Sequence, residues 1–317
     1  MNLRVSRPAG TLVLRGGAIG DFVATLPLLE SLRRAFPAEP LELVAHPAIA
    51  SLALAGGLAD SVHSIESAGL APFFAPDAEL PADWSERFQG AARLISFLHD
   101  PDQVFAANIR RTGARSWIQG PHRPADGGGL AARQLAAPIE NVLGLKPGNP
   151  ADFRLHLDCA AHHEAESFLV GASWTAIHPG SGSPRKNWPV ESWIAVAQTL
   201  LERRPNLRLL ILGGEADHAA IRAMEAGLPD DRIRIVEHAP LPRVAALLAA
   251  CDGFLGHDSG IAHLAASIGI RCVLLFGPSD ATVWSPPQPR VRTIRAPDGL
   301  LDRLPVARVL EEIEFAT

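Results

Sequence analysis

The sequence predicts an α/β protein built from two doubly wound parallel sheets. Three observations carry that prediction. Strand-like apolar runs alternate with helix-like segments through most of the chain. Glycine-rich loops follow several of those runs, where an open parallel sheet places its ligands. The 317 residues fit two domains of about 150 residues each.

Taken in order, TLVL (Thr11–Leu14) is a short strand, GGAIGD a glycine turn, and FVATLPLLESLRRAF (Phe22–Phe36) a helix with apolar residues at helical spacing. LELVAH (41–46) is the next strand, and strand–helix–strand over about 35 residues is a βαβ unit. PAIASLALAGG and DSVHSI continue as helix and strand, and AARLISFLHDP (91–101) holds another strand. Residues 112–150 are rich in Gly and Pro, which predicts loops around a helix near 130–144. FRLHLD (153–158) is expected to be a strand near the domain boundary.

The second half alternates more clearly. Thr175–His178 is a strand, VESWIAVAQTLLERR (190–204) a helix, LRLLILGG (207–214) a strand and EADHAAIRAMEAG a helix. IRIVEH, LPRVAALLAAC, DGFLGHDSG, IAHLAASIG and IRCVLLFGPSD extend the alternation, and PVARVLEEIEF closes the chain as a helix. The expected domains are 1–165 and 166–300, with 301–317 a last helix packing back on the first. The expected site is a cleft between the strand ends of the two sheets, with an acid on one wall and a cation on the other.

Composition removes several classes. A net charge of −5 without a basic stripe argues against nucleic acid as a partner. Cys159, Cys251 and Cys272 are far apart and show no ligand spacing, so they read as reduced thiols in a cytoplasmic protein. The first residues lack the apolar run of a signal peptide. No stretch is apolar for the ~18 residues a membrane span needs, and peripheral contact with a membrane surface stays open.

Four loops carry chemistry. In RGGAIGD (15–21) the first glycine of a dinucleotide fingerprint is replaced by Arg15, and the second strand ends in His46 rather than an acid, so a nicotinamide cofactor is not expected. Asp21 stands in the first helical turn, where it either caps the helix or takes a proton from an acceptor hydroxyl. HPGSGSPRKNWP (178–189) is not a P-loop. Its backbone N–H groups, Ser181, Gly182, Ser183 and the paired cations Arg185 and Lys186 form a local anion site, against the plainer reading of solvated charges. Trp188 is expected to pack that loop on the following helix.

In GHDSGIAHLAASIG (256–269), Asp258, Ser259 and Gly260 open a helix whose N–H groups favour an anion. Asp258 is expected to accept from loop N–H groups or sugar hydroxyls. His263, one turn on, faces either the ligand or the core. Gly213 and Gly214 of GGEAD either line a nucleotide pocket or form only a tight turn, and FGPSD (276–280) either closes the site or is only a tight turn.

Together RGGAIGDFVATLPLLESLRRAFP, HPGSGSPRKNWPVESW, LLILGGEAD and FLGHDSGIAHLAASIGIRCVLLFGPSDATVW resemble glycosyltransferase family 9, the heptosyltransferase family of lipopolysaccharide core assembly. The resemblance covers most of the chain and is weakest over about 60–170. It implies a GT-B fold of two Rossmann-like domains, the first binding acceptor and the second an ADP-sugar, with inverting, metal-independent transfer and no cofactor. By motif it makes Asp21 the general base. Ser181, Ser183 and Lys186 fall to the donor-phosphate loop, and Asp258, Ser259, Gly260 and His263 to the donor-binding loop and helix. His257 and Ala281 depart from the residues frequent in the family. Gly20, Arg15 and Arg115, with Arg110, Arg111 and Arg123, are candidates for meeting an anionic glycan acceptor. A nucleotide-sugar epimerase of the same architecture and a non-catalytic nucleotide-sugar-binding protein are the competing readings.

Overall fold

The structure is a computed structural model that describes residues 9–171 and 173–315. The opening residues read for a leader lie partly outside the described residues, as do the last two of the expected closing helix. The chain divides into two compact units, residues 1–125 with 131–148 and residues 126–130 with 149–317.

The first unit is built on strands β1 (Thr11–Arg15), β2 (Leu41–Ala45), β3 (Ser61–Ser64), β4 (Arg93–Ser96) and β5 (Ile118–Gln119). All pair in parallel, in the order β3-β2-β1-β4-β5. Its helices are α1 (Ile19–Val23), α2 (Leu26–Ala35), α3 (Pro47–Ala55), α4 (Ala82–Gly90), α5 (Val104–Arg111) and α6 (Ala131–Leu143). The single helix expected over Phe22–Phe36 is broken between α1 and α2. Pro27, in the first turn of α2, has no N–H to offer the carbonyl of Val23, and its ring crowds that carbonyl. The core packs β1, β2 and β4 against an aromatic cluster in which Phe88 meets Phe73 edge-on with ring centres 5.0 Å apart.

The second unit has strands β6 (Ser173–His178), β7 (Leu207–Gly213), β8 (Ile233–Glu237), β9 (Gly253–His257), β10 (Arg271–Phe276) and β11 (Val291–Arg295). They form one parallel sheet in the order β11-β10-β9-β6-β7-β8. Helices α7 (Cys159–Phe168), α8 (Val190–Arg203), α9 (His218–Gly227), α10 (Leu241–Ala249), α11 (Gly260–Ile268), α12 (Ala281–Trp284) and α13 (Val306–Phe315) complete it. The first strand is central, with the next two on one side and the last three on the other, which is the dinucleotide-fold order.

Two sequence expectations change here. FRLHLD forms no strand: Leu155 N–H donates to Ser267 O of α11, and Phe153 and Leu155 are buried. That docking groups residues 149–165 with the second unit, where the sequence reading drew the seam at 165. The closing helix α13 places Val309 and Ile313 in the second unit's core, beside α8. No helix among the described residues is long and apolar enough to cross a membrane.

Phe88 is fully buried in the first unit's aromatic cluster, so Phe88→Ala is expected to cost about 3–5 kcal/mol, read as a lowered urea midpoint with an unchanged slope.

Candidate functional site

Each unit carries its sequence-predicted loop at the carboxyl end of its central strand. In the first, β1 ends at Arg15 and the chain turns through Gly17, whose φ of +95° is a left-handed conformation that glycine adopts freely. A side chain at Gly17 would also meet the Asp21 carboxylate, at 3.0 Å from Oδ2. Asp21 is the third residue of α1, and its Oδ2 accepts from Ala18 N–H at 3.2 Å. It thus engages the helix start and stays 26% exposed, open on one side. Gly20 lies within the same short helix.

Arg15 is placed otherwise than expected. It is only 2% exposed and cannot reach out to an acceptor. Its guanidinium donates to His122 O and Asp21 O, each at 3.0 Å, and stands 3.6 Å from Asp21 Oδ1. Burial lowers its pKa, against the opposing effect of Asp21. Arg15 is therefore a strut joining β1, α1 and the loop at 122. Arg115 is exposed in the turn before β5, as are Arg110 and Arg111 at the end of α5 and Arg123 beyond β5.

In the second unit the ends of β6 and β9 lie side by side, with His178 opposite Gly256. The loop after β6 and the start of α11 therefore meet at the sheet's switch point. Lys186, half-buried, donates to Asp258 Oδ2 at 2.7 Å, and His263 Nε2 stands 3.7 Å from Asp258 Oδ1. Asp258 was expected to take loop N–H groups or sugar hydroxyls. It instead holds the lysine, because the β6–β9 pairing sets the two loops against each other. Burial opposes the charge on Asp258, but His263 and Lys186 outweigh it and hold the carboxyl far below its usual range. An ammonium has three donors, so the Asp258 bond leaves Lys186 two.

Ser259 caps α11, its Oγ accepting from Ala262 N–H at 3.3 Å, and Gly260 begins the helix. Ser181 serves its own loop: its Oγ lies 2.5 Å from Asn187 Oδ1 and 2.9 Å from Ser183 O. Its one proton is thus engaged inside the turn rather than offered to a ligand as expected. Gly182 and Arg185 are exposed and Ser183 half-buried. Trp188 packs edge-on against Trp193 of α8, and its Nε1–H donates to Leu304 O at 3.0 Å.

Sequence reasoning gave the side chains of His178 and Asp217 no role and noted His257 only as a departure from the family. Asp217 Oδ2 accepts from Gly214 N–H at 2.9 Å and lies 3.2 Å from His178 Nε2. Burial works against its charge, yet the His178 and Gly214 bonds lower its pKa. Gly180 abuts the same carboxylate so closely that a Cβ there would overlap it, and Gly213 likewise abuts Ile221. His257, fully buried, accepts from Trp188 N–H at 2.7 Å through Nε2, and its Nδ1 lies 3.2 Å from Gly180 O. The one available signal was that β6 and β9 each end in histidine. Their adjacency lies 75 or more residues beyond local pattern. Asp280 of FGPSD caps α12, accepting from Thr282 N–H at 2.9 Å. Among the described residues no group of three or more His, Cys, Asp or Glu side chains is disposed to hold a metal ion.

Burial pushes the His257 pKa down from 6.5 to about 4. Between those values the unfolded chain takes up a proton that the folded one refuses. Its contribution to stability is therefore full above pH 6.5 and falls away toward pH 4, by about 3 kcal/mol in all. Urea denaturation at pH 7 and pH 4.5 is expected to show that loss, with a shallower pH dependence in His257→Gln.

The chain matches the family model for glycosyltransferase family 9 (heptosyltransferase) over residues 131–302. It is 23% identical over 300 residues to lipopolysaccharide heptosyltransferase 1 of Pseudomonas aeruginosa, covering 85% of this chain and 79% of that protein. It is 28% identical over 120 residues to lipopolysaccharide heptosyltransferase 2 of Escherichia coli K12, a stretch that is 37% of this chain and spans only 34% of that relative's length. The solved structure of E. coli ADP-heptose lipopolysaccharide heptosyltransferase II shares its fold, with a TM-score of 0.77 at 18% identity over 97% of this chain and 98% of the other. With its family model spanning more than half its length and its two parallel sheets matching that fold, this chain belongs to glycosyltransferase family 9, the heptosyltransferases.

Proposed function

We propose that the protein is an inverting glycosyltransferase that moves a sugar, heptose from ADP-heptose, onto a lipopolysaccharide-core or related glycan acceptor. The observation that carries this reading is the meeting of Lys186, Asp258 and the start of α11 at the switch point of the second sheet. A diphosphate leaving group needs positive charge and N–H donors, and that point offers both.

In this reading the second unit binds the donor. Lys186, steered by Asp258, turns its two remaining N–H donors on the diphosphate. The α11 N–H groups add the helix's positive end, and Arg185 adds an outer cation. Ser183, Gly182, Gly213 and Gly214 line the approach, and Ser259 and His263 fix the wall. These groups neutralise charge without a metal. The first unit binds the acceptor, with Arg115 and the nearby exposed arginines meeting its anionic groups and Gly20 leaving room beside Asp21. The Asp21 carboxylate, open on one side, takes the proton from the attacking hydroxyl as the new glycosidic bond forms and the sugar–diphosphate bond breaks. In this reading the protein works in the cytoplasm, with peripheral contact at the inner face of the membrane.

Two variants test the assignment. Lys186→Ala is expected to weaken ADP binding, followed by calorimetry, and to slow transfer by roughly 10²–10³-fold. Asp21→Ala is expected to bind ADP as the wild type does and to lose transfer by roughly 10²–10⁴-fold. The assay is mass detection of product from a panel of nucleotide sugars with truncated lipopolysaccharide cores. Normal transfer by Asp21→Ala removes the base assignment. Free or epimerised sugar released without any acceptor makes the protein an epimerase.

A further inference from the structure

We infer that His257 is a positioning residue that clasps the 180–188 loop at both ends and so sets its grip on a diphosphate. The inference rests on the donor reading above.

A backbone N–H can only donate, so the Trp188 N–H at 2.7 Å makes Nε2 of His257 the acceptor. Nδ1 then carries the ring proton and gives it to Gly180 O at 3.2 Å. One neutral ring thus closes the excursion of the chain from Gly180 to Trp188. Trp193 holds the ring edge-on, with centres 5.2 Å apart. Lys186 sits two residues inside the clasped end, and its counter-ion Asp258 is the next residue after His257. The same strand end therefore fixes the loop at Gly180 O, Trp188 N–H and Lys186 Nζ.

Inside the clasp the loop's own bonds are few. Lys186 N–H donates to Ser183 O at 2.9 Å, Asn187 N–H donates to Pro184 O at 3.2 Å, and Ser181 bonds Asn187. These shape the turn and do not anchor it to the sheet. Gly180 packs against Asp217, and Trp188 is also held by Leu304 O and Trp193; the His257 ring bonds both loop ends at once and ties them to each other. With the loop set before ligand arrives, its N–H groups and Lys186 need no reordering to meet a diphosphate. Asparagine places an amide near Nδ1 and glutamine places one near Nε2, so each replaces one half of the clasp. Phenylalanine keeps the ring packing on Trp193 and replaces neither.

The test is calorimetric titration of wild type, His257→Phe, His257→Asn, His257→Gln and Lys186→Ala with ADP and, by competition, with adenosine, which lacks the diphosphate. Thermal melts confirm folding. His257→Phe is expected to bind ADP about tenfold more weakly, the loss of a net hydrogen bond, while adenosine affinity stays within twofold. Asn and Gln are each expected to recover part of the ADP affinity. If His257→Phe does not fold, the same ADP-selective weakening in Asn or Gln carries the inference. ADP binding within twofold of wild type in every folded variant overturns it. So does equal weakening of ADP and adenosine, which marks general loosening of the unit. Wild type that binds ADP, weakened by Lys186→Ala but not by the His257 variants, overturns this inference alone. Wild type that binds no ADP overturns the donor reading and this one with it.

Discussion

The parallel pairing of β6 with β9 is the constraint on which the second unit's site depends. It sets His178 opposite Gly256, so the loop leaving one strand and the helix following the other begin side by side. Lys186 reaches Asp258, and Gly180 and Trp188 reach His257, because of that register alone. A slip of one residue would turn each strand's side chains to the opposite face. It would take His257 off the loop and leave Lys186 and Asp258 without each other. The sheet's apolar strands, buried on both sides, fix the register. Ile177, Leu209, Leu255 and Val273 stand in one core cluster with Trp193 of α8.

That arrangement answers a difficulty for an anion site. The fixed side-chain charges behind the loop are one cation, Lys186, and two carboxylates, Asp217 and Asp258. Taken as point charges they would repel a diphosphate. Geometry reverses the balance. Asp217 points into the unit, bonded by Gly214 N–H and beside His178, and is 6% exposed. Asp258 is equally buried, with Lys186 on one oxygen and His263 near the other. What remains for a ligand in the proposed reading is the unused part of the ammonium, the N–H groups at the start of α11 and the exposed Arg185. Keeping His257 neutral fits the same scheme, because a protonated ring would lose its acceptor and release Trp188 N–H.

Much of this was legible in the sequence, and the parts that were not have physical reasons. The alternation of strands and helices follows from period and turn chemistry, which are local. So do the loops at 16–21 and 180–186, marked by glycines and serine. Arg15 misled because an arginine beside glycines looks solvent-facing, while its partners His122 O and Asp21 O come from the fold. FRLHLD misled because alternation records burial on one side, and a segment docked on the end of α11 buries one side without joining a sheet. Ser181 was read as a ligand donor, yet its hydroxyl has acceptors within its own loop, Asn187 Oδ1 and Ser183 O. The roles of His178, Asp217 and His257 depend on strand adjacency, which no local window contains.

The two units also explain why only certain loops carried a signal. Each sheet has its first strand in the centre, with the second and third strands to one side and the fourth onward to the other. The crevice of such a sheet opens between the first and fourth strands. In the first unit that is β1 beside β4, and RGGAIGD follows β1. In the second it is β6 beside β9, where HPGSGSPRK follows β6 and HDSG follows β9. GGEAD follows β7, one strand away from the crevice. Its Asp217, bonded by Gly214 N–H, stands beside His178 behind the β6 loop. A glycine loop in this fold is thus read by the strand it follows as much as by its residues.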